Sequence, residues 1–135
     1  MLWKDGTLRV AIDYRRINKQ TSNCPSYPVA RMEDLLEGVQ GSVVFSVLDL
    51  RQAYYQILMD ERDIAKTAFV LEDQKFEFVR MPFGLEGASF SLAASLGDIL
   101  SDCRDFTGVY FDDIIIHSKS KALHLKHLQQ IFRIF

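Results

Sequence analysis

The sequence feature that most restricts the fold is a pair of adjacent aspartates, Asp112 and Asp113, set between two apolar runs. Gly108–Phe111 precedes the pair and Ile114–Ser118 follows it, and both runs are rich in residues that favour strands. Because Asp is also a common turn residue, the pattern predicts a β-hairpin with acids at its tip. Holding two like charges together is costly unless a cation lies between them. The pair is therefore either an ordinary turn or part of a cation site.

A third acid, Asp49, ends the apolar run Val43–Leu48, for which we predict a buried strand over Ser42–Leu50. A carboxylate at the end of a core strand is either capped by backbone donors or bound to a metal ion. Three such acids could hold two Mg²⁺ ions about 4 Å apart, the arrangement that orients an in-line phosphoryl displacement.

The remaining elements predict an α+β fold, with a mixed or antiparallel sheet and helices packed on one face. Hairpins and helices follow each other without strict alternation and without repeats. The predicted elements are a strand over Leu8–Tyr14, an extended connector over Thr21–Val29, a short helix over Arg31–Glu37 closed by Gly38, a hairpin of Thr67–Leu71 with Phe76–Arg80, a helix over Ala88–Leu100 and an amphipathic helix over Leu123–Phe135.

Composition indicates one globular domain and excludes a membrane protein. Of the 135 residues 48% are hydrophobic and 25% are charged, and no apolar run approaches the roughly 20 residues of a membrane span. Cys24 and Cys103 form no close-spaced metal or redox motif. Because the N-terminus also lacks the apolar stretch of a signal peptide, we expect an intracellular setting.

Charge is unevenly distributed although the net charge is only −2. Residues 1–31 carry six basic and two acidic side chains, and residues 117–135 carry four basic side chains and no acid. Between them, residues 98–116 carry five acids and one arginine. Basic ends around an acidic centre suit a protein that grips phosphates and holds cations, although ordinary solvated charge is the commoner explanation of any one cluster.

Several motifs resemble, in order and spacing, the reverse transcriptase of gypsy-type long-terminal-repeat retrotransposons. Tyr110–Asp113 resembles the Tyr-x-Asp-Asp box of reverse transcriptases. The other matching segments are Leu8–Lys19, Asp49–Ile57, Lys66–Phe69, Phe76–Phe78, Met81–Leu85, Ile116–Ser120, His124-Leu125 and His127-Leu128. The resemblance covers essentially the whole chain and implies an RNA-directed DNA polymerase with the fingers and palm of that family.

The resemblance implies that residues 1–135 form a fragment of the polymerase domain within a Pol polyprotein. The fingers part would be about 1–48 and 60–85, and the palm about 49–59 and 86–135. The family's thumb and ribonuclease H domain would lie beyond Phe135. The implied partners are a primed RNA or DNA template, deoxynucleoside triphosphates and the rest of the polyprotein. The implied location is the cytoplasm or a virus-like particle, with the nucleus as a further site.

The resemblance also implies a role for each matching residue. Asp49, Asp112 and Asp113 would be the catalytic ligands of two Mg²⁺ ions, with Mn²⁺ as a substitute. Arg9 would grip the phosphates of the incoming nucleotide with help from Lys4. Gln52 and Ala53 would offer backbone N–H groups to the triphosphate. Tyr54 would stack beneath the sugar and exclude a ribose 2′-hydroxyl, unless it is only a packing residue.

The chain departs from the family pattern after Met81–Leu85. Ala93 stands where the family has a glutamine that lines the nucleotide pocket, Ser89 replaces a proline, and Glu86 adds a negative charge. These changes keep open a second interpretation, in which the chain is a decayed or domesticated remnant that binds nucleic acid or protein without catalysis. An unrelated Mg²⁺-dependent phosphotransferase fits the acids alone but not the ordered motifs.

Three histidines, His117, His124 and His127, cluster near the C-terminus. Their spacing could suggest zinc, but no cysteine lies nearby to complete a common zinc motif. We therefore predict that they lie on a solvent-facing helix surface.

Overall fold

The computed structural model describes residues 2–4, 7–9, 11–21 and 32–135. The chain divides into two compact units, one made of Met1–Pro25 with Gln52–Ala88 and the other of Ser26–Arg51 with Ser89–Phe135. Among the described residues, none of the helices is both long enough and apolar enough to cross a membrane. The predicted connector over Thr21–Val29 lies almost wholly outside the described residues.

Short strands and helices make up both units. In the described part of the chain they are supplemented by three 3-10 turns, Ala53–Gln56, Ala65–Thr67 and Ser101–Cys103. In chain order the elements are β1 (Leu2–Lys4), β2 (Thr7–Arg9), α1 (Arg15–Asn18), α2 (Met32–Gly38), β3 (Val44–Asp49), α3 (Glu61–Ile64), β4 (Phe69–Leu71), β5 (Gln74–Phe76), α4 (Ala88–Ile99), β6 (Thr107–Tyr110), β7 (Asp113–Ser118) and α5 (Lys121–Ile134).

The first unit begins with a hairpin, because β1 and β2 pair antiparallel. The strand predicted over Leu8–Tyr14 is wrong beyond Arg9, since residues 11–14 lie in no strand and α1 starts at Arg15. Asp13 explains the change, because its carboxylate accepts from the backbone N–H of Arg15 and from the Arg15 guanidinium. Such a local bond favours a turn over an extended strand. The same bonds lower the pKa of Asp13 to about 2.

Tyr14 and Thr67 hold the core of the first unit. Both are buried, and the Tyr14 hydroxyl donates to the carbonyl of Thr67 across 3.2 Å. Burial raises the pKa of Tyr14 above its usual value, so the hydroxyl remains a donor. The Thr67 hydroxyl donates to the Ile64 carbonyl and accepts from the N–H of Phe78, which leaves the side chain satisfied.

The predicted hairpin of Thr67–Leu71 with Phe76–Arg80 is confirmed only in part. β4 begins at Phe69, after the 3-10 turn Ala65–Thr67, and β5 begins at Gln74 and ends at Phe76, where the second strand was predicted to begin. Leu71 pairs with Gln74, so the turn contains only Glu72 and Asp73, and Glu72 has a left-handed φ of 53°. The four polar residues between the two predicted strands, 72–75, were expected to form the whole loop. Residues of β5 are all exposed, and an exposed strand accepts polar side chains such as those of Gln74 and Lys75.

The second unit is built on a three-stranded antiparallel sheet in the order β3–β7–β6. The predicted hairpin around Asp112-Asp113 is therefore confirmed as β6 and β7. β3 pairs along the other edge of β7, from Val44 opposite Ser118 to Asp49 opposite Asp113.

The two faces of this sheet differ because alternate residues of each strand point to opposite sides. We call the face bearing Ser46 and Ser118 the helix face, since α5 packs there and His124 of α5 contacts both serines. We call the face bearing Phe45, Val47 and Asp49 the acid face. The prediction that β3 is fully buried is wrong: it is an edge strand, and Val47 is 62% exposed.

The helices predicted at Arg31–Glu37 and Ala88–Leu100 are confirmed as α2 and α4. The C-terminal helix begins at Lys121, two residues earlier than predicted, because the Ser120 side chain accepts from the N–H of Leu123 and caps it. The buried side chains of this helix do not include all of its large apolar residues. His124 and Ile131 are buried, whereas Leu125 and Phe132 are exposed.

Candidate active site

The strand register brings two of the three predicted acids together. Asp49 ends β3 directly opposite Asp113, which begins β7, and Tyr110 of β6 lies opposite Asp113 on the other side. Residues directly opposite in an antiparallel sheet have Cβ atoms about 4.5–5.5 Å apart and share a face. Asp49 is exposed and Asp113 is half-buried. The acid face thus carries two neighbouring carboxylates that solvent can reach.

A strained turn presents the third acid, Asp112. Only Phe111 and Asp112 separate Tyr110 from Asp113, and Phe111 has a left-handed φ of 56°. A two-residue turn with positive φ at its first position is of type II′, where glycine is the usual residue. A bulky residue in this conformation costs on the order of 1–3 kcal/mol, and such strain is concentrated at functional sites. The rings of Tyr110 and Phe111 meet edge to face with centroids 4.8 Å apart.

The donor chemistry of these acids fits a hard divalent cation. Carboxylate oxygens are the ligands that Mg²⁺ prefers, and like charges placed directly opposite each other destabilise a sheet unless they are neutralised. None of the ion pairs in the described part of the chain involves Asp49, Asp112 or Asp113. As the side chains stand, however, no three Asp, Glu, His or Cys residues within the described ranges are grouped closely enough to hold a metal ion. The structure thus aligns Asp49 with Asp113 without forming a complete cluster.

The residues predicted to contact the nucleotide lie in both units. Gln52 adopts a left-handed conformation (φ 53°, ψ 45°) and begins the 3-10 turn Ala53–Gln56, in which Ala53 is buried and Tyr54 is half-buried. The first N–H groups of a helical turn have no partner within the turn. Ala93 is buried in α4 of the second unit. The side chains of Lys4 and Arg9 lie outside the described part, although their backbones belong to β1 and β2.

The Tyr55 ring, next to Tyr54, belongs to an aromatic cluster in the first unit. It stacks on Phe78 with centroids 6.1 Å apart and meets Phe83 edge to face at 6.2 Å. Phe78 in turn contacts Phe69, whose ring stacks on Phe76. The cluster anchors one side of the 3-10 turn that holds Tyr54, whether Tyr54 acts on a sugar or only packs.

The prediction that the three histidines face solvent is wrong for His117 and His124, which are buried, and His127 is half-buried. His124 is hydrogen-bonded through Nε2 to Ser46 (2.8 Å) and through Nδ1 to Ser118 (2.9 Å). Ser118 is also bonded to Nδ1 of His127, whose ring stacks on Phe106 at 3.8 Å. Buried polar groups require such partners. The serines within the apolar strands β3 and β7 were the sequence signal for this network.

His117 lies on β7 opposite Phe45, and its Nδ1 is hydrogen-bonded to Ser42 across 2.9 Å. Burial lowers the pKa of His117, and the nearby His127 lowers it further. The imidazole is therefore held in its neutral form inside the second unit.

Comparison with known proteins identifies the family. The model of the family described as "Reverse transcriptase (RNA-dependent DNA polymerase)" matches residues 3–135. The chain belongs to the reverse transcriptase family. It is 38% identical over 132 residues to the transposon Tf2-3 polyprotein of Schizosaccharomyces pombe and 37% identical over the same length to the Tf2-7 polyprotein. Each match covers 96% of this chain and 10% of the polyprotein. The resemblance to a retrotransposon reverse transcriptase is therefore confirmed.

Solved structures confirm the α+β fold of reverse transcriptases. A prototype foamy virus protease-reverse transcriptase mutant superposes with a TM-score of 0.87 at 22% identity, covering 99% of this chain and 18% of the viral one. A foamy viral protease-reverse transcriptase in complex with RNA/DNA hybrid gives 0.73 at 26% identity, covering 92% and 17%. A form in complex with double-stranded DNA gives 0.76 at 26%, covering 99% and 22%. The chain thus spans about a tenth of the transposon polyproteins and about a fifth of the viral enzyme.

Proposed function

We propose that this chain is the catalytic part of an RNA-directed DNA polymerase, with Asp49, Asp112 and Asp113 as its metal ligands. The observation that carries the proposal is the register of the second unit, which sets Asp49 opposite Asp113 beside the strained Phe111–Asp112 turn. Family membership supports the activity, and the placement of the acids at one end of the sheet supports their joint role.

The residues of the site would hold and orient the metal ions, and the metal ions would supply the chemistry. Asp49 and Asp113 offer carboxylate oxygens from two strands, and Asp112 offers a third carboxylate from the turn between β6 and β7. Two Mg²⁺ ions held there, or Mn²⁺ in their place, would lower the pKa of a primer hydroxyl and neutralise a departing pyrophosphate. The rigid pairing of β3 with β7 would keep the carboxylates in place, which matters because misplacement of about 1 Å can cost about a hundredfold in rate.

The proposed substrates are a primed RNA or DNA template and deoxynucleoside triphosphates. The foamy viral enzyme, a structural neighbour, has been seen with an RNA/DNA hybrid and with double-stranded DNA, which supports a nucleic-acid duplex as ligand. We assign the triphosphate to the backbone N–H groups of Gln52 and Ala53 and to the side chains of Arg9 and Lys4. Tyr54 would meet the sugar. Ala93, which replaces a family glutamine, would contribute only a methyl group to the pocket.

The polymerase would work as part of a larger polyprotein, as the transposon relatives indicate. In the family's terms, the fingers would be about 1–48 and 60–85 and the palm about 49–59 and 86–135. β3, however, pairs with β7, so Val44–Asp49 belongs structurally with the sheet of the second unit. Transposon relatives also support an intracellular location, in the cytoplasm, a virus-like particle or the nucleus.

Primer extension tests the proposal. The chain would be assayed with and without a thumb segment supplied from a Tf2 polyprotein, on a primed RNA template with deoxynucleotides and Mg²⁺. Asp113→Asn should reduce incorporation by at least about a hundredfold. Loss of a residue that only supports a metal ligand already costs up to about a hundredfold, and a direct ligand should cost no less. Asp105→Asn is the matched control, since Asp105 is an exposed aspartate of the same unit outside the sheet.

Two results would contradict the proposal. Equal incorporation by wild type and Asp113→Asn would exclude the acids from catalysis. No incorporation by any form, together with retained binding of the primed template, would instead favour the non-catalytic remnant.

A further inference from the structure

Three side chains on the helix face form a bridge between the two strands that carry Asp49 and Asp113. Ser46 of β3 and Ser118 of β7 are both hydrogen-bonded to the imidazole of His124 in α5, one to each ring nitrogen. We call these three residues the Ser–His clamp. His124 is 5% exposed and Ser118 3% exposed, so water cannot readily replace these bonds.

The clamp matters because the apolar residues of the helix face do not distinguish one register from another. Val44 and Leu48 of β3 lie on this face, opposite Ser118 and Ile114 of β7, and Ile116 lies between them. A slip of one residue would turn every side chain to the wrong face. A slip of two residues would keep the faces and still set branched apolar side chains against each other. Hydrophobic packing alone therefore discriminates weakly against the second slip.

The hydroxyls of Ser46 and Ser118 distinguish the observed register from the slipped ones. A two-residue slip in one direction would set Ser46 opposite Ile114, too far from Ser118 for one imidazole to reach both oxygens. In the other direction it would set Ser46 directly opposite Ser118, where the two hydroxyls lie too close together to bond the two ring nitrogens of one imidazole. At least one buried polar group would then lose its partner, which costs more than a hydrogen bond usually contributes. A single buried polar residue fixes the register of coiled coils in the same way.

The register of β3 against β7 also determines whether the two aspartates of the active site lie together. Asp49 lies three residues after Ser46, and Asp113 five residues before Ser118. In the observed pairing the two aspartates are directly opposite each other. After a two-residue slip Asp49 would lie opposite Ile115 or opposite the turn residue Phe111, and the carboxylates would no longer share a site.

We propose that His124 is a positioning residue of the polymerase, which acts through Ser46 and Ser118 to keep Asp49 and Asp113 in metal-binding register. This inference rests on the proposed function. His124 touches neither substrate nor metal, and its effect is transmitted along β3 and β7.

The imidazole can be tested one nitrogen at a time. In His124→Asn the side-chain amide can replace Nδ1 and keep the bond to Ser118, whereas in His124→Gln it can replace Nε2 and keep the bond to Ser46. His124→Leu removes both bonds at similar volume. Ile131→Val is the matched control, since Ile131 is buried on the same helix but takes no part in the clamp.

The experiment measures Mn²⁺ binding to the full chain by electron paramagnetic resonance, together with cross-strand nuclear Overhauser effects between β3 and β7. His124→Leu should weaken Mn²⁺ binding by about ten- to a hundredfold, as loss of an outer support of a metal site does. The Asn and Gln variants should each recover part of the affinity. Ile131→Val should lower stability but leave both the affinity and the Overhauser contact between residues 49 and 113 unchanged.

The outcomes separate this inference from the proposed function. Failure of the wild type to bind Mn²⁺ would overturn both. Wild-type binding with equal affinity in a folded His124→Leu would overturn the inference alone. If His124→Leu does not fold, the Asn and Gln variants decide: wild-type affinity in both would overturn the inference, and a loss in both with a shifted Overhauser pattern would support it.

Discussion

The two faces of the β3–β7–β6 sheet are made from alternate residues of the same strands, yet they differ in burial, hydrogen bonding and charge. On the helix face, Ile114 and Ile116 are fully buried and the serines are hydrogen-bonded to histidine. On the acid face, Val47 is largely exposed and Asp49 stands beside Asp113. The helix face is packed and its polar groups are hydrogen-bonded, whereas the acid face keeps like charges together and exposes Phe45 and Val47. Only the part of the acid face around His117, which is bonded to Ser42, is buried among the residues that the structure describes.

The difference shows how stability and function are divided within six residues of a strand. Residues that point to α5 stabilise the sheet and fix its register. Their neighbours on the acid face are not needed for packing against α5 and can therefore be functional residues. Strain follows the same division, because the left-handed Phe111 lies in the turn beside the acids. If this comparison is right, matched substitutions on the two faces should have very different effects on the free energy of unfolding.

The largest expected difference is between Ile116→Ala and Val47→Ala. Ile116 is fully buried, so its truncation should lower the free energy of unfolding by about 2–5 kcal/mol. Val47 is exposed in the neighbouring strand, and its truncation should change that energy by no more than about 0.5 kcal/mol. Urea denaturation followed by circular dichroism measures both. Similar losses from the two variants would mean that the acid face is packed as firmly as the helix face.

A second comparison isolates the strain in the turn. Phe111→Ala removes the ring but keeps a Cβ atom at positive φ, whereas Phe111→Gly removes both. The Gly variant should therefore be more stable than the Ala variant by about 1–2 kcal/mol, the cost of the left-handed region for a residue with a Cβ. The same denaturation experiment measures the difference. A more stable Ala variant would show that Phe111 is not held under strain.

The sequence predicted the acid face better than the helix face, and the reason is physical. The acids could be found because Asp112-Asp113 between apolar runs is unusual and because the order of motifs matches a family. The histidines were misjudged because a polar residue on an amphipathic helix normally faces solvent. His124 is hydrogen-bonded to Ser46, 78 positions away, and to Ser118, 6 positions away. Both contacts could be predicted only from the register of β3 against β7.

The lengths of local elements were predictable only where side chains outside the element did not intervene. α2 and α4 were found from their own sequences. The strand predicted to run to Tyr14 ends early because Asp13 bonds to Arg15, and β3 is half-exposed because a sheet edge cannot be recognised from an apolar run.

A third prediction concerns pH. Burial lowers the pKa of His117 in the folded chain, so the unfolded chain binds the proton first as the pH falls below about 6.5, the usual histidine value. Stability contributed by the neutral imidazole is therefore present above that pH and lost below it, with a slope of at most about 1.4 kcal/mol per pH unit. His117→Asn, which can still bond to Ser42, should flatten the decline between pH 7 and pH 5. An unchanged decline would assign it to other groups.

The smallest expected effect tests the acid face most directly. Asp113→Asn removes one of two like charges placed opposite each other, so in EDTA it should raise the free energy of unfolding by about 0.2–1 kcal/mol. Mg²⁺ should reverse the order, because an ion that binds only the folded wild type stabilises it by about 2.7 kcal/mol at a hundred times its dissociation constant. Urea denaturation of both forms, in EDTA and in Mg²⁺, measures the crossover, with Asp105→Asn as the control that should follow the wild type. If Mg²⁺ does not raise the free energy of unfolding of the wild type, the acid face does not bind the cation that we propose for it.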